Sequence, residues 1–369
     1  MKKLGFGLMR LPLTDPDDRG SIDIELTKKM VDEFLDRGFT YFDTAWPYCN
    51  FQSESAIGEA LVKRHPRESF KLASKLHCAF FNTKEERDNI FAEQLRKTGA
   101  GYFDYYLIHA INAGFYEKYT ELDCFNWLSE LKAKGLVKNM GFSFHDSAEV
   151  LDKVLTEHPE MDFVQLQINY LDWDSERVQS EKCYEVARKH NKPIVIMEPV
   201  KGGALANVPE DVEKMFRQHS PDLSAPSWAI RFAAGLDGVF MVLSGMSDMA
   251  QLLDNTGYMQ DFKPLDEKEL AIVKEAAKMI RRSIAIPCTA CSYCTDGCPM
   301  NIPIPDYFTL YNADKKKDYR PSRDKYTEIS KDKGLASECI ACAQCEGVCP
   351  QKLPIIENLK KVSLHFERK

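Results

Sequence analysis

No apolar run in the chain approaches the roughly 18–20 residues that a membrane span needs, so no segment reads as membrane-embedded. Positive charge is not in excess either. The formal net charge is −7, which argues against nucleic acid as a partner. The G-x-G-x-x-G fingerprint of a Rossmann dinucleotide unit is absent. The opening stretch, MKKLGFGLMRLPL, starts basic but lacks a long apolar core and a small-residue cleavage site. It reads as a first strand rather than a signal peptide, and the expected compartment is the cytoplasm.

Cysteine, by contrast, is plentiful, with 12 residues in 369. Cys49, Cys78, Cys124 and Cys183 are scattered and are expected to be packing residues. The other eight fall in two near copies, CTACSYCTDGCP at 288–299 and CIACAQCEGVCP at 339–350. Each reads C-x2-C-x2-C-x3-C-P, the thiolate spacing of a [4Fe–4S] site in two-cluster ferredoxins. A disulfide framework suits a small secreted domain, not a long chain without a signal. Zinc takes two C-x2-C pairs and would leave the third and fourth cysteines of each motif without a role. The spacing therefore predicts two [4Fe–4S] clusters held by Cys288, Cys291, Cys294, Cys298, Cys339, Cys342, Cys345 and Cys349.

Before those motifs, short apolar runs alternate with amphipathic stretches. Strands are predicted at 4–9, 39–43, 70–75, 104–109, 139–143, 163–167, 194–198 and 239–244. Between them, segments such as ELTKKMVDEFLDRG and TKEERDNIFAEQLRKTG repeat apolar residues every three or four positions and end on glycine. Alternating strands and helices predict a parallel sheet, and eight strands are the number that closes a (β/α)8 barrel. Past a helix over about 264–282 the pattern changes to clustered cysteine and proline with no strands. The expected domains are a barrel at 1–280 and a small, mostly helical two-cluster domain at 281–369. The second carries a small excess of Lys and Arg over Asp and Glu. That excess either compensates the clusters' own negative charge or offers a docking face to an acidic electron carrier.

Barrel chemistry sits at the carboxyl ends of the strands. The residues there are Asp43, Lys75, His109, Ser143, Gln167, Glu198 and Ser244, with Tyr48 five residues after Asp43. FDTAWPYCNFQSESAIGEAL, LASKL and FDYYLIHA resemble, in order and spacing, the tyrosine, lysine and histidine segments of the aldo-keto reductases. The resemblance implies an NAD(P)H-dependent enzyme that interconverts a carbonyl and an alcohol on a small-molecule substrate. Tyr48 would be the general acid, supported by Asp43, Lys75 and His109. Chemistry supports that assignment. A phenol with a pKa near 10 gives its proton slowly at neutral pH, and a nearby ammonium lowers that value. Asp43 would keep Lys75 charged, and His109 would orient the substrate oxygen.

By the same resemblance Ser143 and Gln167 would hold the nicotinamide carboxamide. SGMSDMAQLLDN would supply the phosphate segment, with Ser244, Gly245, Gln251 and Asn255. Phe144 stands where the family often has Asn, and Met197 where many members have an aromatic ring. Gly245 and Gln251 replace the basic residues of NADP-preferring members, which favours NADH. KGG at 201–203 reads as a turn. Trp46, Phe80 and Phe115 are candidate pocket-lining rings, and His77 and His145 are given no role. The tail resembles the α-helical ferredoxin type. That implies exchanged fourth ligands: Cys288, Cys291, Cys294 and Cys349 on one cluster, and Cys339, Cys342, Cys345 and Cys298 on the other. The clusters would pass electrons to or from an external carrier. A different class of protein has the same features: an electron-transfer or redox-sensing protein on a non-catalytic barrel, with structural or regulatory clusters.

Overall fold

The structure is a computed structural model and describes residues 1–315 and 322–367. Eight parallel strands close in sequence order into a barrel: β1 (Leu4–Gly7), β2 (Tyr41–Asp43), β3 (Lys71–Leu76), β4 (Phe103–Ile111), β5 (Val137–Phe144), β6 (Phe163–Gln167), β7 (Ile194–Met197) and β8 (Val239–Gly245). β1 pairs with β8 from Leu4↔Val242 to Gly7↔Gly245, which closes the cylinder. The predicted eight-stranded (β/α)8 fold is the observed one. Predicted strand ends are met to within a few residues, and β4 and β5 run longer than the patterning indicated.

Local sequence explains the elements. The helix Ile24–Asp36 starts where the Asp23 carboxylate accepts the Leu26 N–H, and it buries Met30, Val31 and Phe34. The helix Lys84–Thr98 starts on the Thr83 hydroxyl and stops at Gly99, whose φ of 66° is left-handed and favours glycine. Inside the barrel, Tyr41, Ala73, Leu107, Phe163, Val195, Met241 and Leu243 form a packed plug. A larger apolar shell joins the outer strand faces to the helices.

The helix Glu267–Ser283 does not leave the barrel. It packs Val273, Ala276, Ala277 and Ile280 against Tyr170, Leu171, Phe216 and Trp228. Glu269 takes two hydrogen bonds of 2.8 Å from Arg231. Beyond it, Ile286, Ile302, Ile304, Tyr307, Phe308, Tyr326, Leu359, Val362 and Phe366 gather in a separate apolar cluster. It is built on the helices Ile304–Lys315, Ser322–Ile329 and Ile355–Phe366. The segment predicted helical at 304–319 is helical to Lys315, and the remainder lies outside the described residues. Among the described residues no helix is long and apolar enough to cross a membrane.

Gly141 marks how closely neighbouring strands approach. A Cβ there would stand 2.6 Å from the Phe163 carbonyl oxygen. Gly141→Ala must therefore push β5 from β6 and should destabilise the barrel by about 1–3 kcal/mol, read as a lower urea midpoint. An unchanged midpoint would refute this.

Candidate active site and cluster loops

Because the strands are parallel, Asp43, Lys75, His109, Ser143 and Gln167 all project near one rim. Tyr48 reaches it from the loop after β2. That loop turns through Cys49, Asn50 and Phe51, whose φ values of 51°, 51° and 64° are left-handed. Such a run of non-glycine residues is costly and clusters at functional sites. Lys97 braces it by donating to the Phe51 carbonyl at 2.9 Å and lying 4.3 Å over the Trp46 ring.

Lys75 is the hub. Its ammonium donates to Asp43 Oδ1 at 2.5 Å, to the Thr44 carbonyl at 2.9 Å and to Tyr48 Oη at 3.4 Å. Lys75 and Asp43 are 1% and 3% exposed. Loss of water lowers the Lys75 pKa and raises that of Asp43, and each charge is the other's main counterweight. His109 lies edge-on to Tyr48, with ring centroids 6.0 Å apart. Burial and the neighbouring Lys75 charge keep its imidazole neutral. Buried atoms near this rim without a hydrogen-bond partner among the described residues include Asp43 Oδ2, His109 Nδ1, His145 Nδ1, Gln167 Nε2 and Thr289 Oγ1.

Tyr48 departs from the expectation of a lowered pKa. Loss of water, then the charges of Asp43, Cys49 and Glu198, hold its phenol well above the ordinary value. The resting phenol is therefore protonated, the state a donor needs. The ammonium 3.4 Å away can stabilise the phenolate once the proton leaves.

Beneath Lys75 lies a polar network that the sequence reading missed. Glu54 Oε1 accepts from Ser74 Oγ and from Gln94 Nε2, both at 2.6 Å. Gln94 also donates to the Lys75 carbonyl at 3.1 Å and accepts from the Tyr106 hydroxyl. A glutamate on the buried face of a short amphipathic segment, SESAI, was the available signal. The aromatic candidates are brought together through two rings not singled out as pocket residues. Phe51 contacts Trp46 and Phe80, while His77 contacts Phe80, Phe115 and His109.

The groups proposed for the cofactor are mostly engaged within the chain. Ser143 Oγ accepts the Ala110 N–H at 2.7 Å, and Asn255 bonds Ser244 and Tyr258. Gln251 bonds Asp248 and the Ser247 N–H. Gly245 packs against the Arg10 side chain.

The two cysteine motifs share one backbone. Ala290 and Ser292 of the first have positive φ, as do Ala341 and Ala343 of the second; after the prolines, Asn301 and Lys352 repeat the correspondence. In the first of these turns Ala290 N donates to Cys288 Sγ at 3.4 Å. Cys288, Cys291, Cys294 and Cys349 lie close enough for their charges to oppose one another. Cys298 lines one cavity with Cys339, Cys342 and Cys345. These neighbourhoods are the ones that the exchanged ligation implied by the resemblance would need. Thiols beside a donating backbone N–H would suit an anionic iron–sulfur core.

The first motif sits on the barrel mouth. Arg10 donates to the Thr289 carbonyl at 3.1 Å and Arg19 to Ser292 Oγ at 2.8 Å. Gln351 bridges Glu198, at 2.8 Å, and the Lys201 ammonium, at 2.8 Å, which is paired with buried Asp172. Tyr293 lies within electrostatic reach of Tyr48 and Glu198.

A family model described as the aldo/keto reductase family matches residues 3–278, and one described as a 4Fe-4S dicluster domain matches 287–353. The chain belongs to the aldo/keto reductase family and carries a dicluster domain at its carboxyl end. It is 29% identical over 157 residues to 4-dihydromethyl-trisporate dehydrogenase of Mucor mucedo, a match covering 36% of this chain and 48% of that protein. It therefore spans about half the length of that curated relative. Among solved structures, an aldo-keto reductase from Bacillus halodurans in its holo form superposes with a TM-score of 0.61 at 23% identity. That match covers 75% of this chain and 92% of that one. An aldo-keto reductase from Klebsiella pneumoniae in complex with NADPH gives 0.57 at 18% identity, covering 74% and 90%. These likenesses show the fold.

Burial raises the Glu54 pKa from 4.5 to about 7. Below the unfolded value the carboxyl is protonated in both states and the shift contributes nothing. As pH rises towards 7 the folded state holds its proton longer, so stability falls, by up to roughly 3 kcal/mol. Glu54→Gln removes this dependence. Its melting temperature relative to the parent should rise between pH 5 and pH 8; a difference independent of pH would contradict the assignment.

Proposed function

We propose that this chain interconverts a carbonyl and an alcohol on a small-molecule substrate, with Tyr48 as proton donor and an NAD(P)H cofactor. The observation that carries the reading is Lys75, whose buried ammonium touches both Asp43 and the Tyr48 oxygen. A barrel that served only as a scaffold would have no use for a lysine held at that cost in desolvation. Neutral His109 offers one N–H to the substrate oxygen, and the rings of Trp46, Phe80 and Phe115 form an apolar wall beside it. Tyr48 then delivers its proton as charge develops on that oxygen, and Lys75 and Asp43 stabilise the phenolate left behind.

Bound nicotinamide supplies a hydride. Gln167, whose Nε2 is free of partners, would hold its carboxamide together with Ser143. Ser244, Gly245, Gln251 and Asn255 remain the proposed phosphate segment. NADH is favoured, because Gly245 and Gln251 carry no charge and Gln251 is bonded to the Asp248 carboxylate, a poor neighbour for a 2′-phosphate. The working domains are 1–280 and 281–369.

A [4Fe–4S] cluster supplies single electrons, and the chain presents its two cysteine sets differently. The set with Cys288 and Cys291 faces the barrel mouth. The second motif faces solvent, with Cys342 exposed and Ile340 61% exposed. This supports electron exchange with an external carrier at the second motif.

Tyr48→Phe should lose ~10²–10⁴-fold in carbonyl reduction while keeping its fold, measured as kcat on simple aldehydes and quinones. Parent-like kcat would overturn the role of Tyr48. Anaerobically prepared protein should hold about eight irons per chain. Cys298→Ala should lose about half of them while leaving the set of Cys288, Cys291, Cys294 and Cys349 loaded. Iron lost instead from that set would contradict the exchanged ligation.

A further inference from the structure

In α/β barrels the loops after the seventh and eighth strands often hold a ligand's phosphate. Here those loops are residues 198–204 and 245–248, and the space beside them is taken by the chain itself. A Cβ on Gly202 would stand 2.5 Å from the Thr289 carbonyl oxygen and 2.8 Å from Thr289 Cβ. The Gly202 backbone thus packs directly against Thr289. Thr289 is 3% exposed.

The cations bordering this end of the groove are also engaged. Arg10 packs over Gly245, its carbonyl accepts from Ser247 Oγ, and its guanidinium donates to Thr289 O. Lys201 is 3% exposed and is held by Asp172 and Gln351. Glu198 adds a carboxylate where a diphosphate would bring more negative charge, and it is tied to the tail through Gln351. At the opposite end of the groove Gln167 Nε2 lacks a partner, as does the buried Thr289 hydroxyl at this end. One end suits a carboxamide, while the other is filled by residues of the dicluster domain.

We propose that the docked dicluster domain occupies the phosphate end of the dinucleotide groove, so that the docked domain and bound NAD(P)H exclude one another. This rests on the nicotinamide reading above. A diphosphate needs cations, N–H donors and room. In the docked arrangement Arg10 and Lys201 are committed elsewhere and the room is held by Thr289. Admitting the dinucleotide requires the tail to lift from Arg10, Arg19 and Lys201. The same docking places Cys288, Cys291 and Cys349 within electrostatic reach of Glu198. One mouth therefore serves two occupants in turn: the first cysteine set when the domain is down, and the dinucleotide when it is raised.

The test uses the full chain with its clusters loaded, under anaerobic conditions, probed with NADH and with NADPH. Hydrogen exchange should slow over residues 244–255 and quicken over 286–294 and 349–353 when dinucleotide is added. A second protein, Arg19→Ala with Lys352→Ala, removes peripheral docking contacts: the Arg19 bonds to the 290–292 loop and the Lys352–Asp146 pair at 3.5 Å. It should bind the better dinucleotide about 10-fold more tightly than the parent by fluorescence titration, a shift of ~1.4 kcal/mol. Its visible spectrum checks that the clusters remain. Protection of 244–255 without loosening of 286–294, and equal affinity in both proteins, would overturn the exclusion and leave the nicotinamide reading standing. No dinucleotide effect in either protein would remove the nicotinamide reading, and the exclusion with it.

Discussion

All eight strands run in the same direction, so every carboxyl end reaches one rim. That constraint brings Tyr48, Asp43, Lys75 and His109, the proposed cofactor residues and the first cysteine motif to the same mouth. A parallel barrel has no second mouth of this kind. Its plug of Tyr41, Leu107, Phe163 and Met241 is packed solid, leaving the rim as the place where polar groups can converge.

Convergence there requires charge to be taken out of water, and the structure neutralises each instance locally. Lys75 is matched by Asp43 and Lys201 by Asp172, while Glu198 faces the charges of Lys201 and Arg10 and accepts a hydrogen bond from the neutral Gln351 amide. A buried charge without a partner would shift its pKa and lose the charge altogether. Two of these three arrangements do different work. The Lys75 pair stands beside Tyr48, the proposed proton donor. The Lys201 pair, through Gln351, fastens a domain that begins some eighty residues later in the chain. Chemistry and domain docking therefore share one physical device, which is why the two motifs quoted from the tail cannot be understood apart from the barrel.

The placement of the clusters also differs from the simplest picture of an electron-carrying appendage. Hydride transfer moves two electrons together and a cluster moves one, which favours delivery at a distant surface. The second motif is indeed at the surface, with Ile340 and Cys342 exposed. The first is against the mouth, where Arg10 donates to the Thr289 carbonyl. The two motifs have the same backbone but opposite environments, and that asymmetry is a property of docking alone.

Periodicity and motif spacing were enough to read the barrel. Strands such as FVQLQ and helices such as TKEERDNIFAEQLRKTG are specified locally, by alternation, capping and glycine stops. The cysteine spacings and the residues at the strand ends were equally legible, because they are fixed offsets along one chain. What the sequence could not show is whatever depends on two distant segments meeting. Glu54 and Gln94 form a network only once β3 and its neighbouring helix pack together. The helix at 267–283 was legible as the last one before the cysteine-rich tail, and only its contacts with Trp228 and Leu171 make it part of the wall. Thr289, in an ordinary position between two cysteines, packs on the loop after β7 because Gly202, 87 residues earlier, leaves it room. Local composition thus determined the elements and the reactive side chains. Tertiary packing decided which of them share water-poor space, and so which charges interact and which ligands fit.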